Sequence, residues 1–377
     1  MKRILFLLIV ELLIFSSALA TQDNEEVSIT IFDAEGLIVS EETAHASAEV
    51  PDAELGGNGA ITLTMSFTGD VTIGSNVQHN GKSIFEKELD RQEGDLSFPF
   101  RNVKSIFIED DLTLINFEGT LTTEGRNPDK RNNSFLFRAD PSYVSMLSDN
   151  GVESVSLENN HVLDMGVAGL SETKKTLVDA GISFACEDQP AIIEIKGVRI
   201  GSLAYQTFGG RHDEIIELLP RAIDSLRDRG CDIVIVSYHW GDEKDYKPND
   251  NQIRLGRATI DAGADLVIGH HSHRINPIEY YKGHYICYSL GNFSFAGNNK
   301  PDDMSTYIFQ IQMVVENGKA RSDAFRIIPC RISSTDDYND FAPTPYTEES
   351  DIEELLEKLK ENGRKIEYAV SEYPLEW

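Results

Sequence analysis

The sequence predicts an α/β fold built around a substantial sheet, and two observations favour this class. First, apolar runs of strand length, such as residues 112–117 and 233–238, alternate with segments of helical spacing, such as residues 167–180 and 214–229. Second, several helical segments are followed directly by glycine, which readily adopts the left-handed conformation at a helix C-terminus. Strands that alternate with helices of this length are typical of layered α/β proteins.

The remaining elements follow the same alternation from residue 61 onward. Each predicted strand is a short β-rich or alternating run, and each predicted helix combines helical spacing with a glycine stop or a charged amphipathic face. The predicted strands are 61–68, 112–117, 153–157, 198–204, 233–238, 266–268, 285–290, 306–315 and 324–328. The predicted helices are 141–150, 167–180, 214–229, 252–262 and 351–360.

Residues 1–20 have the pattern of a secretory signal. Lys2 and Arg3 precede an apolar run that reaches Phe15, and the small-residue sequence Ala-Leu-Ala at 18–20 is typical of a cleavage site. We expect cleavage after Ala20, with an uncleaved signal anchor as the alternative. In both cases we expect the body of the protein to be extracytoplasmic, either secreted or membrane-anchored through this N-terminal segment.

Three further regions follow the signal. Residues 21–60 contain ten acidic residues and no Lys or Arg, and we interpret them as a flexible acidic spacer, with a short ordered hairpin as the alternative. Residues 61–330 are predicted to form the α/β domain. Residues 331–377 are predicted to form a C-terminal extension with one helix, which is either docked or solvated.

The charge and the cysteines exclude some classes of function. The formal net charge is −29, and because phosphate backbones select for basic surfaces, we expect no nucleic-acid partner. The four cysteines are widely spaced and form no Cys-x-x-Cys pair, which argues against a cysteine zinc cluster. Buried free thiols and disulfides both remain open.

Side chains of the metal-ligand type stand directly after five of the apolar strands. In open α/β sheets, ligands bind beyond the carboxyl ends of the strands, so such side chains can converge on one point. Oxygen and imidazole ligands together suit Mn, Zn or Fe better than Mg or Ca. The side chains concerned are Asp70, Glu118, Asn160 with His161, His239, and His271 with His273.

Each of these motifs alone also has an ordinary structural interpretation. A Gly-Asp pair after a strand is often a turn or a helix cap, a histidine at a strand end is often structural, and Glu118 could form a salt bridge. The His-His-Ser-His sequence at 270–273 is more specific, because three imidazoles so close together would repel one another if all were protonated. Shared ligation of a cation removes this repulsion, since neutral imidazole binds metals well.

The order of the motifs along the chain resembles that of the calcineurin-like metallophosphoesterases. Within that superfamily, the sequence resembles the CapA/PgsA family of poly-γ-glutamate capsule synthesis proteins over about residues 61–296. The resemblance implies a layered α-β-β-α sandwich. The motifs that carry it are Phe67-Thr68-Gly69-Asp70, Asn116-Phe117-Glu118-Gly119, Asn159-Asn160-His161 with Asp164 and Gly166, His239-Trp240-Gly241, Gly263-Ala264-Asp265, Gly269-His270-His271-Ser272-His273, and Ser289-Leu290-Gly291-Asn292-Phe293.

The resemblance also implies a role for each matching residue. Asp70 corresponds to the metal ligand of the first strand, and Glu118 corresponds to the bridging carboxylate. His161 corresponds to the group that faces the substrate as an acid or electrostatic group. The other implied metal ligands are Asn160, His239, His271 and His273, and the implied pocket residues are Asn116, Asn159, Trp240, His270 and Asn292.

Two departures from the superfamily pattern concern the metal count. The phosphoesterases usually have histidine two residues after the first Asp, where this chain has Thr72, and their bridging acid is Asp where this chain has Glu118. One of the two metal positions is therefore short of a ligand. We expect one or two divalent cations, Mn, Zn or Fe.

Three functions remain open on the sequence. The first is a CapA-like exported protein that acts in making, exporting or trimming an anionic capsule polymer such as poly-γ-glutamate, with His161 as proton donor. The second is an extracytoplasmic metal-dependent phosphoesterase, and the third is a non-catalytic subunit of a membrane polymer-synthesis complex. The expected partners are accordingly an anionic polymer or a small phosphate or carboxylate substrate, together with membrane polymer-synthesis subunits. Activity as a metal-dependent hydrolase is left undecided.

Overall fold

The strands gather into two large sheets in a computed structural model, which describes residues 27–32, 38–44, 59–77, 82–125, 130 and 135–377. The strands are β1 (Val27–Phe32), β2 (Ile38–Ala44), β3 (Ile61–Thr72), β4 (Ser75–Asn76), β5 (Leu112–Phe117), β6 (Phe137–Arg138), β7 (Ser154–Ser156), β8 (Ser183–Ala185), β9 (Ala191–Ile195), β10 (Val198–Gln206), β11 (Ile233–His239), β12 (Leu266–His270), β13 (Ile278–Tyr281), β14 (His284–Cys287), β15 (Asn292–Phe295), β16 (Ser305–Glu316), β17 (Lys319–Arg331) and β18 (Thr344–Pro345). The helices are α1 (Ile84–Arg91), α2 (Lys104–Glu109), α3 (Ser145–Ser148), α4 (Gly166–Asp179), α5 (His212–Asp228), α6 (Asp250–Asp261) and α7 (Glu349–Gly363), with a 3₁₀ turn at Pro141–Val144.

Both sheets have a parallel centre. In the first, which we call the β11 sheet, the strand order is β13-β14-β12-β11-β10-β9-β1-β2, and β10, β11, β12 and β14 run parallel. In the second, the β3 sheet, the order is β18-β17-β16-β3-β5-β7-β8, and β3, β5, β7 and β8 run parallel, with β15 also parallel to β3. Parallel pairing places the carboxyl ends of these strands along one edge of each sheet.

Apolar side chains hold the two sheets face to face and attach helices to both outer faces. Phe67 of β3 and Ile235 of β11 belong to the cluster between the sheets. Leu177 of α4 belongs to the cluster on the outer face of the β3 sheet, and Leu219 of α5 belongs to the cluster on the outer face of the β11 sheet. The layers are therefore helix, sheet, sheet and helix, and the predicted α/β sandwich is confirmed.

Most predicted elements of the described chain lie within a few residues of the observed ones. The first strand continues past its predicted end to Thr72, so Asp70 lies inside β3 rather than after it. The predicted helix 141–150 divides into the 3₁₀ turn and the short helix α3. Short elements such as α1, α2, β8 and β9 were not predicted.

The two ends of the chain differ in what the structure describes. The signal segment 1–20 lies outside the described residues, and none of the described helices is long and apolar enough to cross a membrane. Within 21–60, β1 and β2 form a hairpin that joins the β11 sheet through β9, which corresponds to the alternative left open by the sequence. In the C-terminal extension, Leu355 and Leu359 of α7 are buried in the cluster between the sheets, so this helix is docked. All four cysteines are buried free thiols.

Candidate metal centre

The predicted ligands come together where the carboxyl-end edges of the two sheets meet. Asp70 lies near the end of β3, Glu118 follows β5, and His239 ends β11. One ligand atom from each of these three residues lies within 4.8 Å of the others. Residues from the two different sheets therefore form a single buried cluster.

Two glycines allow the chain to close in on this cluster. A Cβ atom at Gly69 would lie 2.2 Å from the carbonyl oxygen of Gly291, which accepts a hydrogen bond of 2.9 Å from the backbone N–H of Asp70. A Cβ atom at Gly269 would lie 2.2 Å from the carbonyl oxygen of Tyr288. Both separations are far shorter than van der Waals contact, so any side chain would force the backbones apart.

The carboxylate of Asp70 is fully buried and is contacted on both oxygens. Asn116 Nδ2 donates to Oδ1 at 2.8 Å, and the backbone N–H of His271 donates to Oδ2 at 3.3 Å. His270 Nδ1 lies 3.3 Å from Oδ1, and His273 Nδ1 lies 3.1 Å from Oδ2. Burial alone would raise the pKa of Asp70, but the contacts with His270 and His273 hold this pKa well below its usual value.

Glu118 is fully buried, and neither of its carboxylate oxygens has a hydrogen-bond partner among the described residues. The His161 Nε2 atom lies 3.5 Å from Glu118 Oε1. Burial and the neighbouring Asp70 carboxylate raise the pKa of Glu118 well above its usual value. A buried carboxylate without donors is unfavourable by several kcal/mol unless a counter-charge is supplied, and a divalent cation supplies one.

His239 and His271 form a close pair of imidazoles on the β11 sheet side of the cluster. His271 Nδ1 lies 3.0 Å from His239 Nε2, while His239 Nδ1 is buried with no partner among the described residues. Burial lowers the pKa of both rings, and the positive charge of neighbouring histidines lowers it further. Both rings therefore favour the neutral form, which is the form that ligates metals.

The turn that follows β12 carries His271 and His273 in the left-handed region of the backbone. Their φ angles are 93° and 54°, and such conformations cost about 1–3 kcal/mol each outside glycine. The turn places His273 Nδ1 2.9 Å from Asn292 Oδ1, in addition to its contact with Asp70. Burial would lower the pKa of His273, but the Asp70 and Glu118 carboxylates raise it to about 9.

His161 is held by a carboxylate on the side of its ring away from Glu118. Its Nδ1 lies 2.7 Å from Oδ2 of the buried Asp164, and the same oxygen accepts a hydrogen bond of 2.6 Å from the backbone N–H of Phe137. Since an ionised carboxylate only accepts, Nδ1 carries the hydrogen and Nε2 faces the cluster. Burial lowers the pKa of His161, and the contact with Asp164 opposes this shift.

The side-chain amides of Asn159 and Asn116 connect His161 to the strand ends. Asn159 Nδ2 donates to Asn116 Oδ1 at 3.2 Å and to the carbonyl oxygen of Phe117 at 2.9 Å, and Asn159 Oδ1 accepts from the backbone N–H of His161 at 3.0 Å. Asn160 follows directly, and its Oδ1 is buried with no partner among the described residues. This oxygen is therefore available as a ligand.

Trp240 is a predicted pocket residue that the structure places in the core instead. Its indole stacks on Tyr238, with ring centroids 4.6 Å apart, and its Nε1 donates to the carbonyl oxygen of Tyr288 at 2.9 Å. Successive side chains of an extended chain point in opposite directions. Trp240 directly follows His239, so its side chain points away from the cluster. Thr72 is also engaged elsewhere, since its hydroxyl donates to the carbonyl oxygen of Glu118 at 2.7 Å.

Three phenylalanines that the sequence did not indicate surround the histidines. The ring of Phe137 lies 4.5 Å from that of His161, that of Phe208 lies 4.8 Å from His271, and that of Phe295 lies 4.8 Å from His273, measured between centroids. An aromatic residue in a strand or loop is usually part of the core, so no sequence signal distinguished them. The role of Asp164 could have been found from its His-x-x-Asp spacing.

The donor set and its spacing fit a divalent transition metal. Around a cation with bonds of about 2.1 Å, neighbouring ligand atoms lie roughly 3.0–3.4 Å apart in octahedral or tetrahedral geometry. The His239–His271 pair is separated by 3.0 Å and the Asp70–His273 pair by 3.1 Å. Glu118 and Asn160 add buried oxygens without protein donors. Mixed imidazole and carboxylate ligands suit Mn, Zn or Fe.

These features define a class of protein: a two-sheet α/β sandwich with a carboxylate–histidine cluster where the strand ends of both sheets meet. The sequence profile of one family, described as "Bacterial capsule synthesis protein PGA_cap", matches residues 64–296. The chain belongs to this family, and the resemblance to the CapA proteins that the motifs predicted is confirmed.

Individual relatives agree with the family assignment. The PGA biosynthesis protein CapA of Bacillus subtilis is 30% identical over 307 residues, which cover 76% of this chain and 75% of that protein. The capsule biosynthesis protein CapA of Bacillus anthracis is 27% identical over 327 residues, covering 80% and 74%. Among solved structures, the calcineurin-like phosphoesterase YfkN of Bacillus subtilis aligns with a TM-score of 0.41 at 14% identity, covering 81% of this chain and 100% of that chain.

Proposed function

We propose that this protein is an extracytoplasmic, metal-dependent hydrolase that trims or releases an anionic capsule polymer such as poly-γ-glutamate. The observation that carries the proposal is the fully buried Glu118 carboxylate, whose two oxygens have no donor among the described residues and which lies among Asp70 and the histidines. The names of the two CapA relatives refer to biosynthesis of PGA or of capsule, which supports the choice of polymer.

The residues that would hold the cation are the buried oxygen and nitrogen donors of the cluster. Asp70 and His273 would serve one side of Glu118, and His239 and His271 the other, with Asn160 as a further oxygen donor. A bound divalent cation polarises a carbonyl or phosphoryl oxygen and lowers the pKa of water, which makes hydrolysis feasible near neutral pH.

His161 would act as the proton donor to the leaving group in the form of its ring that carries a proton on both nitrogens, giving up the Nε2 proton and keeping Nδ1–H. Its Nδ1 is fixed by Asp164, so Nε2 is directed at the cluster and is free to exchange a proton with a substrate placed there. Phe137 packs against the ring, with the two centroids 4.5 Å apart. A positioned acid of this kind contributes roughly 10²–10⁴-fold to the rate.

The preference for an anionic substrate would come from the surroundings of His273. A cavity of about 130 Å³ lies beside His273 and Asn292, and Lys244 and Arg274 contribute to its lining. Phe295 adds an apolar wall to the same cavity. Arg274 is paired with Asp302, which also lines the cavity, at 2.6 Å. A glutamyl unit offers a carboxylate for Lys244 and methylene groups for the apolar wall. The chain's net charge of −29 would otherwise repel such a polymer, so the cation and Lys244 would be needed to offset it.

The proposal is tested by measuring metal content and hydrolysis on the same preparation. The purified chain is assayed by elemental analysis, and its activity on poly-γ-glutamate and on a generic phosphate ester is measured with Mn²⁺, Zn²⁺ and Fe²⁺. We expect stoichiometric metal and shortening of the polymer, and we expect both to be lost in His271→Ala. His284→Ala is the matched control, since His284 bonds to the Asp265 carbonyl oxygen and is not among the cluster residues.

The alternatives give different results in this experiment. Hydrolysis of the phosphate ester alone would identify the protein as a phosphoesterase, and bound metal without hydrolysis of either compound would identify a non-catalytic subunit of a polymer-synthesis complex. A chain that binds no metal would refute the proposal altogether. Digestion of the protein by protease added to intact cells tests the extracytoplasmic location, which a fully protected protein would contradict.

A further inference from the structure

His270 is a buried histidine whose ring nitrogens have no hydrogen-bond partner among the described residues. It is the last residue of β12, and its side chain is only 1% exposed. Buried polar atoms are nearly always paired, because an unpaired one loses its bonds to water and gains nothing in return. His284 illustrates the usual situation, since its Nδ1 lies 3.1 Å from the carbonyl oxygen of Asp265.

The position of the His270 ring suggests what satisfies it. Its Nδ1 lies 3.3 Å from Asp70 Oδ1, but the two atoms are not aligned as a hydrogen bond. The other oxygen of Asp70 lies 3.1 Å from His273 Nδ1. Two ring nitrogens therefore stand close to one carboxylate, each 3.1–3.3 Å from a different oxygen of Asp70.

On the Asp70 side of the cluster, strand β3 supplies no histidine as a nitrogen ligand. The position two residues after Asp70 is Thr72, and its hydroxyl is already committed to the carbonyl oxygen of Glu118 at 2.7 Å. On the opposite side, His239 and His271 supply two nitrogens. Without His270, the Asp70 side would have only His273 as a nitrogen ligand.

We infer that His270 is a metal ligand that binds through Nδ1 the same cation as Asp70 and His273. The inference rests on the proposed metal site. It adds to that site the nitrogen ligand needed for a second cation. Asp70, His270 and His273 would then hold one cation, and His239, His271 and Asn160 would hold another, with Glu118 near both sets. The competing explanation is a metal-free ion pair between a charged His270 and Asp70.

Equilibrium dialysis of the full chain against Mn²⁺ distinguishes the two explanations. We expect two Mn²⁺ per chain in the wild type and in the control variant His284→Asn. In His270→Asn we expect one Mn²⁺ to bind as before and the affinity for the second to fall at least about 100-fold, more than the 10- to 100-fold typical of losing a residue that only orients a ligand. Two Mn²⁺ with unchanged affinities in His270→Asn would overturn the inference.

A second measurement does not depend on how the variant folds. In the wild type with ¹⁵N-labelled histidine, long-range ¹H–¹⁵N NMR spectra follow each ring nitrogen during titration with Zn²⁺. We expect the Nδ1 resonance of His270 to move to the metal-bound range and Nε2 to carry the hydrogen. A His270 ring protonated on both nitrogens throughout the titration would show the ion pair instead. Failure of the wild type to bind any metal would refute the proposed function as well, whereas an uninvolved His270 in a metal-loaded protein would refute only this inference.

Discussion

The two ends of strand β5 each carry an acid withdrawn from solvent, Glu118 fully and Asp110 partly, and they differ in what surrounds it. Asp110 lies just before the strand and Glu118 lies just after it. Burial raises the pKa of both carboxyl groups, that of Asp110 to about 7 and that of Glu118 well above its usual value. Each also has at least one oxygen without a hydrogen-bond partner in the described part of the chain.

The neighbours of the two acids decide what each can do. Around Glu118 stand Asp70 and imidazoles, including His161 at 3.5 Å. Around Asp110 stand hydroxyls and a further, partly buried acid: Thr113 Oγ1 donates to Asp110 Oδ2 at 2.9 Å, and the pKa of Glu153 is raised by desolvation and by Asp110 itself. A proton can neutralise the acids at the amino end, whereas the carboxyl end offers a ready set of metal ligands. A raised pKa alone therefore does not mark a functional site; the chemistry of the neighbouring groups does.

The largest effect that this comparison predicts is on metal binding. Replacing Glu118 with Gln removes the central negative charge while keeping the shape of the side chain, so we expect the affinity for Mn²⁺ to fall by more than about 100-fold. Asp110→Asn is the matched change at the other end of the strand and should leave the affinity unchanged. Equilibrium dialysis measures the Mn²⁺ affinity of both variants. Equal losses of affinity would show that the two ends of β5 do not differ in metal binding.

The next effect concerns the orientation of His161. In Asp164→Asn the amide no longer fixes the hydrogen on Nδ1, so we expect kcat on the polymer to fall roughly 10- to 100-fold while KM and metal content are retained. The tautomer of His161, read from ring ¹⁵N shifts, should change from Nδ1–H toward Nε2–H. A variant with reduced kcat but an unchanged tautomer would show that Asp164 acts by another route.

The sequence predicted the cluster but not everything that holds it. Asp70, Glu118, His239 and the histidines after β12 could be placed together because each comes at the end of an apolar run, and the carboxyl ends of parallel strands share an edge. What joins the two edges is a pair of sheets packed face to face, and this depends on contacts between residues far apart in the chain. The close approach of Gly69 to Gly291 is one such contact, and no local pattern reveals it.

Individual roles were harder to predict than membership of the cluster. Trp240 follows a ligand in the chain but faces the core, because neighbouring side chains of an extended segment point in opposite directions. Phe208, Phe137 and Phe295 could not be distinguished from ordinary core residues. The sequence placed His270 only among the pocket residues, and a role as a ligand is suggested by its distance to Asp70 and the absence of partners in the described structure.

The smallest predicted effect is on the pH dependence of stability at the amino end of β5. The Asp110 carboxyl keeps its proton in the folded protein up to about pH 7, because burial outweighs the hydrogen bonds from Ser66 and Thr113, whereas its usual pKa is 3.8. Between these two values the folded state binds more protons than the unfolded state. The free energy of unfolding contributed by Asp110 must therefore fall as the pH rises through this interval.

Asp110→Asn tests this sign, because the amide stays neutral at every pH. The free energies of unfolding of variant and wild type, measured in urea at pH 5 and pH 8, should diverge in favour of the variant as the pH rises, by on the order of 2 kcal/mol. Parallel pH profiles would mean that Asp110 is already ionised in the folded state and has a counter-charge. The amino end of β5 would then resemble the carboxyl end, and the chemical difference between the two ends would disappear.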